Sequence, residues 1–562
     1  MQFFAGPLKE LAEYEEIQKK RTEKQGMIQI SGCVTSQKTH LMYALGDGFK
    51  RKIIAVSSEL RAKQIYEEYR FLDSDVWLYP AKDLLFYQAD LRGKFLIKQR
   101  MEVYQALLEQ EQVTVITSFD GFMDSLLPLE EMEKRVISLE AGQELDFEKL
   151  KKDMVLLGYE REEQIEGPGQ FAVRGGILDI YPLTEEVPVR IEMWGDEIDS
   201  IRTFDVESQR SIENLESIRI YPATDFPEEQ AKRVSFLDYF DKKTSMLFLD
   251  EPVRLIEKGE SVEEEFVQAQ ANRMECGYTV SDEEMKLFST KEIADKMNQY
   301  YSIGMSALEM KCKEFKTRGL YHLQAKGVNP YNNSFEMLTR DLKQLKRKGY
   351  RAILLSGSRT RAKRLAEDLR DYNLSSFYSE DVEREVNPGE IMVTYGHVTE
   401  GYEYPMIKFI VISETDIFGQ KKKKRKRKVY EGQKIQSFSE LKVGDYVVHE
   451  NHGLGIYQGI EKIEVDKVAK DYMKIAYAAG GNLYIPATQL DLIQKYASAD
   501  AKKPKLNRLG GQEWTKTKTR VRGAVKEIAK DLVELYAARQ EKHGFVYGED
   551  TVWQREFEEM FP

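Results

Sequence analysis

A phosphate-binding motif with one altered position most constrains how this chain can fold. Residues 31–39 read SGCVTSQKT and follow an apolar run at 27–30, which is where a strand enters a P-loop in parallel α/β proteins. A P-loop wraps phosphate with successive backbone N–H groups, and its second glycine lets the backbone approach the ligand closely. Gln37 occupies that position here, while Lys38 and Thr39 remain. The motif therefore predicts an α/β domain whose nucleotide site has lost its nucleotide.

A second segment far downstream completes this degenerate nucleotide site. Residues 245–251 read SMLFLDE, an apolar strand ending in two acids. In nucleotide hydrolases, acids at this place hold Mg²⁺ and activate water. An apolar strand ending in acids is common, so we weigh a structural relic against residual nucleotide binding and predict no catalytic residue. The degenerate site comprises Gly32, Gln37, Lys38, Thr39, Asp250 and Glu251.

Length and charge predict several domains and one basic linker. With 562 residues the chain is too long for one core, and about four domains are expected. The net charge is −11, yet residues 421–428 are the unbroken basic run KKKKRKRK, which leaves −19 for the rest. Such a run repels itself and is typical of a solvated linker. The alternative is a transient, salt-dependent contact with nucleic acid phosphates.

Targeting and cysteine patterns predict a cytoplasmic protein. We find no apolar run of about 18 residues and no basic segment followed by an apolar stretch at the N-terminus, so neither a membrane helix nor a signal peptide is expected. Cys33, Cys276 and Cys312 are odd in number and widely spaced. They match neither a disulfide framework nor a metal site, so we predict a reducing compartment and no metal.

Residues 1–120 show the alternation of strands and helices that is typical of a parallel sheet. Short apolar runs read as buried strands, and segments with apolar residues at helical spacing separate them. The predicted strands lie at 52–56, 76–80 and 113–117, and the predicted helices at 59–72 and 95–110.

Residues 121–215 change to alternating apolar and polar positions. The runs at 173–182 and 189–198 carry this period of two. Such a pattern predicts neighbouring antiparallel strands with one solvated face.

The last 240 residues are predicted to hold three further units. Residues 325–418 contain a strand, a helix and a further strand, which indicates a second α/β unit. Residues 436–495 alternate on both sides of the Gly-Gly-Asn turn at 480–482, which predicts the hairpin of a small barrel. Between 514 and 542, apolar residues step by four and three along one predicted helix.

Four segments together resemble one family. Residues 171–182 and 189–198 resemble the UvrA-binding module that UvrB shares with transcription-repair coupling factors, and residues 443–455 look like the start of a CarD-like RNA-polymerase-interacting domain. Residues 506–514 look like the connector that leads toward the motor of that family. The chain is therefore similar to the N-terminal portion of bacterial transcription-repair coupling factors over essentially its whole length.

The resemblance implies a multi-domain α/β and α+β architecture. A UvrB-like degenerate P-loop α/β domain carries an inserted antiparallel-sheet domain, and a second α/β domain, a small SH3/Tudor-like β-barrel and a long connector helix follow. The implied boundaries are 1–120 with 216–324 for the P-loop domain, 121–215 for the UvrA-binding domain, 325–418 for the small α/β domain, 419–435 for the basic linker, 436–510 for the CarD-like domain, 511–545 for the connector helix and 546–562 for the start of the motor.

The function that the resemblance implies is an adaptor in transcription-coupled nucleotide excision repair. The family is an ATP-dependent double-stranded DNA translocase that binds stalled RNA polymerase and recruits UvrA. We expect this chain to lack the motor and therefore to be a fragment without cofactors of its own. ATP and Mg²⁺ would belong to the missing motor, through which double-stranded DNA is mainly bound. A cytoplasmic monomer without membrane contact is expected.

Two alternatives come from other classes of protein. A UvrB-type ATP-dependent enzyme that handles damaged DNA would need an intact P-loop and a tyrosine-rich hairpin. Gln37 argues against the first, and residues 84–95 show no such hairpin in the sequence. A free-standing CarD-like regulator is disfavoured by the roughly 430 preceding residues.

The resemblance also implies the residues of two docking sites. Arg161, Arg174 and Glu192 match UvrA-contacting positions, although the family pattern has a further arginine where this chain has Ala172. An arginine on a strand face suits bidentate capture of a carboxylate, and the competing interpretation is an ordinary exposed charged face.

The polymerase β subunit is expected to add a strand along the edge at 460–465. Ile463 takes the central position of this segment between Lys462 and Glu464, and Tyr484 lies on the opposing strand. The competing interpretation places Ile463 in the barrel core.

Overall fold

The computed structural model divides the chain into two compact units. One consists of Met1–Val429 with Ala487–Leu490, and the other of Tyr430–Pro486 with Asp491–Pro562. The structure describes residues 2–82, 94–206, 208–224, 233–275, 287–381, 383–419, 433–434, 443–449, 452–465, 468–486, 493–496, 504–509, 513–514, 516–517 and 520. The basic run at 421–428, most of the segment 84–95 and most of the predicted connector helix lie outside these residues.

The helices and strands are numbered in chain order. The α-helices are α1 (Gln2–Ala5), α2 (Ala12–Lys20), α3 (Thr35–Leu45), α4 (Glu59–Leu72), α5 (Lys94–Glu109), α6 (Asp120–Met123), α7 (Leu129–Glu133), α8 (Phe147–Leu156), α9 (Pro252–Glu275), α10 (Thr290–Met297), α11 (Phe335–Arg347), α12 (Arg359–Asp371) and α13 (Glu414–Phe418). The strands are β1 (Gly26–Ser31), β2 (Arg51–Val56), β3 (Val76–Tyr79), β4 (Val113–Ser118), β5 (Ile137–Glu140), β6 (Glu160–Arg161), β7 (Gln170–Arg174), β8 (Ile177–Tyr181), β9 (Val189–Trp194), β10 (Glu197–Phe204), β11 (Ser211–Leu215), β12 (Ser217–Ile220), β13 (Ser245–Asp250), β14 (Tyr301–Met305), β15 (Thr317–His322), β16 (Lys326–Gly327), β17 (Arg351–Ser356), β18 (Ser376–Tyr378), β19 (Ile391–Tyr395), β20 (Tyr402–Tyr404), β21 (Phe409–Ile412), β22 (Gln433–Lys434), β23 (Tyr446–His449), β24 (Gly453–Val465), β25 (Val468–Ala476), β26 (Asn482–Pro486) and β27 (Ile493–Lys495).

A seven-stranded parallel sheet forms the centre of the first unit. Its order is β15-β1-β14-β13-β2-β4-β3, and the strands predicted in the first 120 residues are confirmed. Strands β1, β4 and β13 are buried along their whole lengths, as expected for a parallel sheet covered on both faces. Since only β14 separates β13 from β1 in this parallel sheet, the carboxyl end of β13 lies close to the loop that joins β1 to α3.

The two faces of this sheet support two different domains. Ile53 and Ala55 share one core with apolar side chains of β8 and β9. Ile54 and Val56 share another with side chains of β17 and β21. Since successive strand residues point to opposite faces, one strand of the central sheet contributes to both cores.

The antiparallel sheet predicted after residue 121 is confirmed. Six strands follow in the order β11-β10-β9-β8-β7-β6, and β5 pairs with β12 in a separate ribbon. All neighbouring strands of the six-stranded sheet are antiparallel except β6 and β7. In β9, Val189 and Ile191 are buried while Arg190 and Glu192 are half-buried, so the polar positions share the face that points away from the central sheet.

The second α/β unit has a sheet of order β16-β20-β21-β17-β19-β18. Strands β21, β17, β19 and β18 are parallel, and β20 runs antiparallel to β21. Helices α11 and α12 pack on one face of this sheet, and the other face packs toward α3 and α4. The unit is therefore attached to the P-loop domain through a whole sheet face.

The second compact unit contains a six-stranded sheet of order β22-β27-β23-β24-β25-β26. All its pairs are antiparallel. Met473, Ile475 and Tyr477 are buried, as the predicted alternation requires, and β25 and β26 form the predicted hairpin around 480–482.

His40 on α3 occupies the contact between the P-loop domain and the second α/β unit. Its Nε2–H donates to the carbonyl oxygen of Phe4 at 2.9 Å, so Nδ1 accepts from the hydroxyl of Tyr404 at 3.1 Å. Its ring stacks on Tyr402 with centroids 5.4 Å apart. Burial lowers the pKa of His40 to about 4, because a charged imidazolium loses its hydration here.

Acidification should therefore weaken this contact. The folded pKa lies below the unfolded one, so stability is fully present above about pH 6.5 and falls as the unfolded imidazole binds a proton. We expect His40 to account for about 2 kcal/mol of lost unfolding free energy between pH 7 and pH 5. Urea unfolding at both pH values should show a smaller loss in His40→Gln than in the wild type. An equal loss in the two proteins would contradict this assignment.

Candidate functional site

Three backbone donors at the start of the predicted phosphate loop are engaged within the chain. Gly32 has φ of +80°, and a Cβ there would lie 2.2 Å from the carbonyl oxygen of Leu323, so the loop is closed tightly against the segment after β15. Phosphate binding by a P-loop needs successive N–H groups that point at the ligand. Three of them already donate: Gly32 N to Ala307 O (3.3 Å), Cys33 N to Ser306 O (3.1 Å) and Val34 N to Gln37 Oε1 (3.1 Å).

Lys38 is neutralised by the two acids at the end of β13. Its Nζ lies 2.7 Å from Asp250 Oδ1 and 2.6 Å from Glu251 Oε1, and its side chain is only 6% exposed. Arg61 from α4 adds a second cation, with Nε 2.9 Å from Asp250 Oδ2. Burial raises the pKa of Asp250, but the charges of Lys38 and Arg61 outweigh burial and hold it below its usual value. The four groups form a buried cluster of two cations and two anions.

Thr39, which would reach Mg²⁺ in a working P-loop, is bound to a carboxylate instead. Its hydroxyl donates to Glu68 Oε2 at 2.5 Å, and Ser36 donates to Glu68 Oε1 at 2.6 Å. The N–H of Thr399, from the second α/β unit, donates to the same carboxylate at 2.9 Å. Glu68 is fully buried and so joins the motif helix to the neighbouring domain.

These contacts do not fit a bound nucleotide. Three loop N–H groups, the lysine ammonium and the threonine hydroxyl are used inside the chain, and the Gln37 side chain is buried where the second P-loop glycine would be. The sequence motifs predicted four of these site residues: Lys38, Thr39, Asp250 and Glu251. They did not reveal Arg61 or Glu68, which lie on α4 outside any recognisable motif.

The outward face of the antiparallel sheet carries a network of charges around Asp179. Arg190 binds both carboxylate oxygens, with Nε at 2.6 Å and an Nη at 3.0 Å, and Arg174 reaches the same carboxylate at 2.5 Å. Gln209 accepts from Arg190 at 2.9 Å. Asp179 is 2% exposed, whereas Arg174 is 48% exposed. Arg174 is therefore oriented by a buried acid while much of its guanidinium remains accessible.

Glu192 lies in the same cross-strand row as Arg174. The register places Arg174 opposite Ile177 and Ile177 opposite Glu192, so these positions share a face. Glu192 forms an ion pair with Arg202 of β10. Arg161 is exposed, but it is paired in register with Phe171, a core residue, and so falls on the other face. Of the three predicted UvrA-contacting positions, the structure therefore brings Arg174 and Glu192 together on one face and leaves Arg161 on the other.

The last residue of β9 carries an exposed aromatic side chain beside this face. Trp194 is 82% exposed, although tryptophan is on average highly buried. Pattern analysis did not single it out. Asp179, Arg190 and Arg202 could have been found from the period-two alternation of β8, β9 and β10, which puts them on one face with Glu192.

Strand β24 has one edge that its neighbour leaves open. Strand β23 pairs with Gly453–Ile456 only, whereas β25 pairs with β24 along most of its length, including Ile463 opposite Lys470. Among the described residues, no strand pairs with the other edge of 460–465. Lys462 pairs with Asp471 and Glu464 with Ala469 in the same register. Within the part of the chain that the structure describes, the segment thus offers unpaired backbone groups of the kind that strand addition uses.

Tyr484 lies on β26, opposite Lys474 of β25. Its side chain is 37% exposed, and the ammonium of Lys474 lies 5.6 Å from its ring centroid. Lys474 also pairs with Glu461 of β24 at 2.7 Å. A chain of polar contacts therefore links Tyr484 across the sheet to the strand with the open edge.

Family comparisons define the class of these two domains. The family model of the UvrB interaction domain matches residues 137–226, which include the antiparallel sheet with Asp179. The CarD-like/TRCF RID domain matches residues 441–497, which include β23 to β27. The chain thus combines a UvrB interaction domain with a CarD-like domain.

Relatives that share the whole arrangement are transcription-repair-coupling factors. The chain is 30% identical to the factor of Bacillus subtilis over 597 residues, covering 95% of this chain and 50% of the relative. It is 29% identical to that of Staphylococcus epidermidis, covering 87% and 46%, and 28% identical to that of Staphylococcus aureus, covering 88% and 47%. The predicted resemblance is confirmed, and the chain spans about half the length of these relatives.

The described part of the chain lacks two further features, a membrane-spanning helix and a cluster of metal ligands. No helix there combines the length and the apolar character that crossing a bilayer requires. Nor do three or more His, Cys, Asp or Glu side chains converge there in a way that could hold a metal ion.

Removing Lys38 should destabilise the first unit strongly. Lys38→Ala leaves Asp250 buried and Glu251 partly buried with less compensation, and breaking a buried ion pair costs roughly 3–5 kcal/mol. We expect a urea unfolding transition lowered by that free energy. The exposed Lys243→Ala should change it by less than about 0.5 kcal/mol. A loss for Lys38→Ala as small as that of Lys243→Ala would contradict a structural role.

Proposed function

We propose that this chain is the adaptor part of a transcription-coupled nucleotide excision repair factor. In this proposal the CarD-like domain binds RNA polymerase and the UvrB interaction domain recruits UvrA. The observation that carries it is the presence of both domains on one chain, in relatives named for coupling transcription to repair.

Strand addition is the proposed mode of polymerase binding. The open edge at 460–465 supplies backbone donors and acceptors in register, and such pairing gives affinity while side chains give specificity. Ile463 is central in the segment, with Lys462 and Glu464 beside it and Tyr484 two strands away. The β subunit as the docking partner and closure of the strands into a small barrel are finer parts of the proposal.

A charged sheet face is the proposed site for UvrA. Arg174 is partly exposed and is oriented by Asp179, so less side-chain entropy is lost when it binds a carboxylate. Glu192 and its partner Arg202 lie in the next strands, which offers the partner both signs of charge. We assign Arg161 a peripheral role because it lies on the other face of the sheet.

The proposed adaptor uses no nucleotide of its own. Lys38, Thr39, Asp250 and Glu251 satisfy one another or neighbouring side chains, and this arrangement supports a structural role. ATP- and Mg²⁺-driven movement on double-stranded DNA is assigned to the part of the relatives that this chain does not cover. A monomer in the cytoplasm completes the proposal.

Two variants with opposite effects test both docking sites together. Binding of the chain to purified RNA polymerase β subunit and to UvrA would be titrated separately for the wild type, Ile463→Arg and Arg174→Glu. Ile463→Arg should weaken β-subunit binding by at least about 30-fold, the loss of about 2 kcal/mol expected of a central interface residue, and leave UvrA binding unchanged. Arg174→Glu should weaken UvrA binding and leave β-subunit binding unchanged.

Each variant is thus the folding control of the other. Absence of wild-type binding to either partner would contradict the adaptor role. A wild type that binds both partners while each variant loses both would contradict the assignment to two separate surfaces.

A further inference from the structure

The second α/β unit presents a two-helix outer layer that no proposed function uses. Leu338 and Leu342 of α11 and Leu365 and Leu369 of α12 share a core with one face of the sheet. The rings of Phe335 and Tyr372 lie 5.1 Å apart, so the two helices are neighbours. Since the other sheet face packs toward the P-loop domain, the polar sides of α11 and α12 face solvent.

This outer layer is strongly basic in an acidic chain. Helices α11 and α12 together contain nine Lys and Arg against five Asp and Glu, a net charge of +4, and Lys348 follows α11 directly, whereas the whole chain carries −11. The buried positions of both helices are apolar or small, apart from Thr339. The cations therefore concentrate on the outside of one layer.

Many of these cations are exposed and uncompensated. Arg340, Arg359 and Arg361 each pair with one carboxylate, yet their side chains remain 62–69% exposed. Six others are exposed with no carboxylate within ion-pairing distance among the described residues. These six are Lys343, Arg347, Lys348, Lys363, Arg364 and Arg370.

Helix stability does not account for the arrangement. Helix α12 has no acidic residue in its first turn, and it begins with Arg359, Arg361, Lys363 and Arg364 within six residues. Cations are unfavourable near the positive end of a helix dipole, by about 0.3–1 kcal/mol each at low salt. Cations that destabilise the helix they belong to are expected where a negatively charged ligand compensates for their cost.

We propose that the exposed face of α11 and α12, which we call the basic face, binds the phosphate backbone of duplex DNA. Charge complementarity is the main reason. A thirteen-residue helix such as α11 is about 20 Å long, and a duplex presents about one phosphate for every 1.7 Å of its axis. Cations three and four residues apart on a helix face are neighbours, so several of them reach one stretch of backbone together.

An acidic protein fits this face less well than DNA does. Protein interfaces are depleted in lysine and need an apolar or aromatic centre, whereas the basic face includes Lys343, Lys346, Lys348 and Lys363. Phosphate contacts by Lys and Arg need no such centre and carry no sequence preference. The basic face therefore gives the chain a sequence-independent DNA contact that is separate from the two proposed protein sites.

Salt-dependent binding with charge-matched variants tests this proposal. The full chain would be titrated into a labelled duplex of about 40 base pairs by fluorescence anisotropy, over a range of salt concentrations that resolves the counterion slope. The test variant carries Lys343→Gln, Arg347→Gln, Lys363→Gln and Arg364→Gln. The control carries Lys149→Gln, Lys152→Gln, Lys243→Gln and Lys313→Gln, all exposed on other elements. Both lose four positive charges and keep the run at 421–428.

The wild type and the control should bind alike. The test variant should bind at least tenfold more weakly at low salt, and its slope of log K against log [salt] should be shallower by about 3, since each lost phosphate contact removes about 0.9. Equal binding by the test variant would overturn the proposal and assign the contact to the basic run. The proposal would also be overturned if the control variant lost as much DNA affinity as the test variant. A wild type that does not bind the duplex would overturn it too, and would leave an acidic protein surface as the fitting partner.

Discussion

The first unit depends on a buried set of charges in which carboxylates of the chain bind the two side chains that a P-loop would offer to nucleotide and metal. In a working P-loop, the lysine faces phosphate and the threonine faces Mg²⁺. Here Lys38 faces Asp250 and Glu251, and Thr39 faces Glu68. Because a buried charge without a partner costs several kcal/mol, these contacts are what allow the motif to remain inside a folded core.

The same contacts explain how the second α/β unit is held in place. Glu68 accepts from Thr399 of that unit, and His40 on the motif helix accepts from Tyr404. The helix that would support a nucleotide thus supports a domain contact instead. One face of the central sheet then carries the second α/β unit and the other carries the UvrB interaction domain, so the central sheet holds both domains in place.

Local patterns predicted the elements well because their signals lie within a few residues. Period-two alternation indicated the sheet around Arg190 and Glu192, and apolar runs located β2, β4 and β13. The partners of these residues were harder to predict, since pairing depends on topology. Glu68 lies about 30 residues from Ser36 and Thr39 in sequence, and Arg61 meets Asp250 across 189 positions. Likewise, Arg161 resembles a site residue by its motif, but the register sets it on the other face.

Nucleotide binding at the closed loop tests the central claim most directly. A fluorescent ATP analogue with Mg²⁺ would be titrated against the wild type and Lys38→Ala, up to millimolar ligand. Internal closure of the site predicts no saturable binding by the wild type, because three loop N–H groups, the Lys38 ammonium and the Thr39 hydroxyl are engaged within the chain. Saturable, Mg²⁺-dependent binding that Lys38→Ala abolishes would show that the loop still accepts phosphate, and would contradict the account.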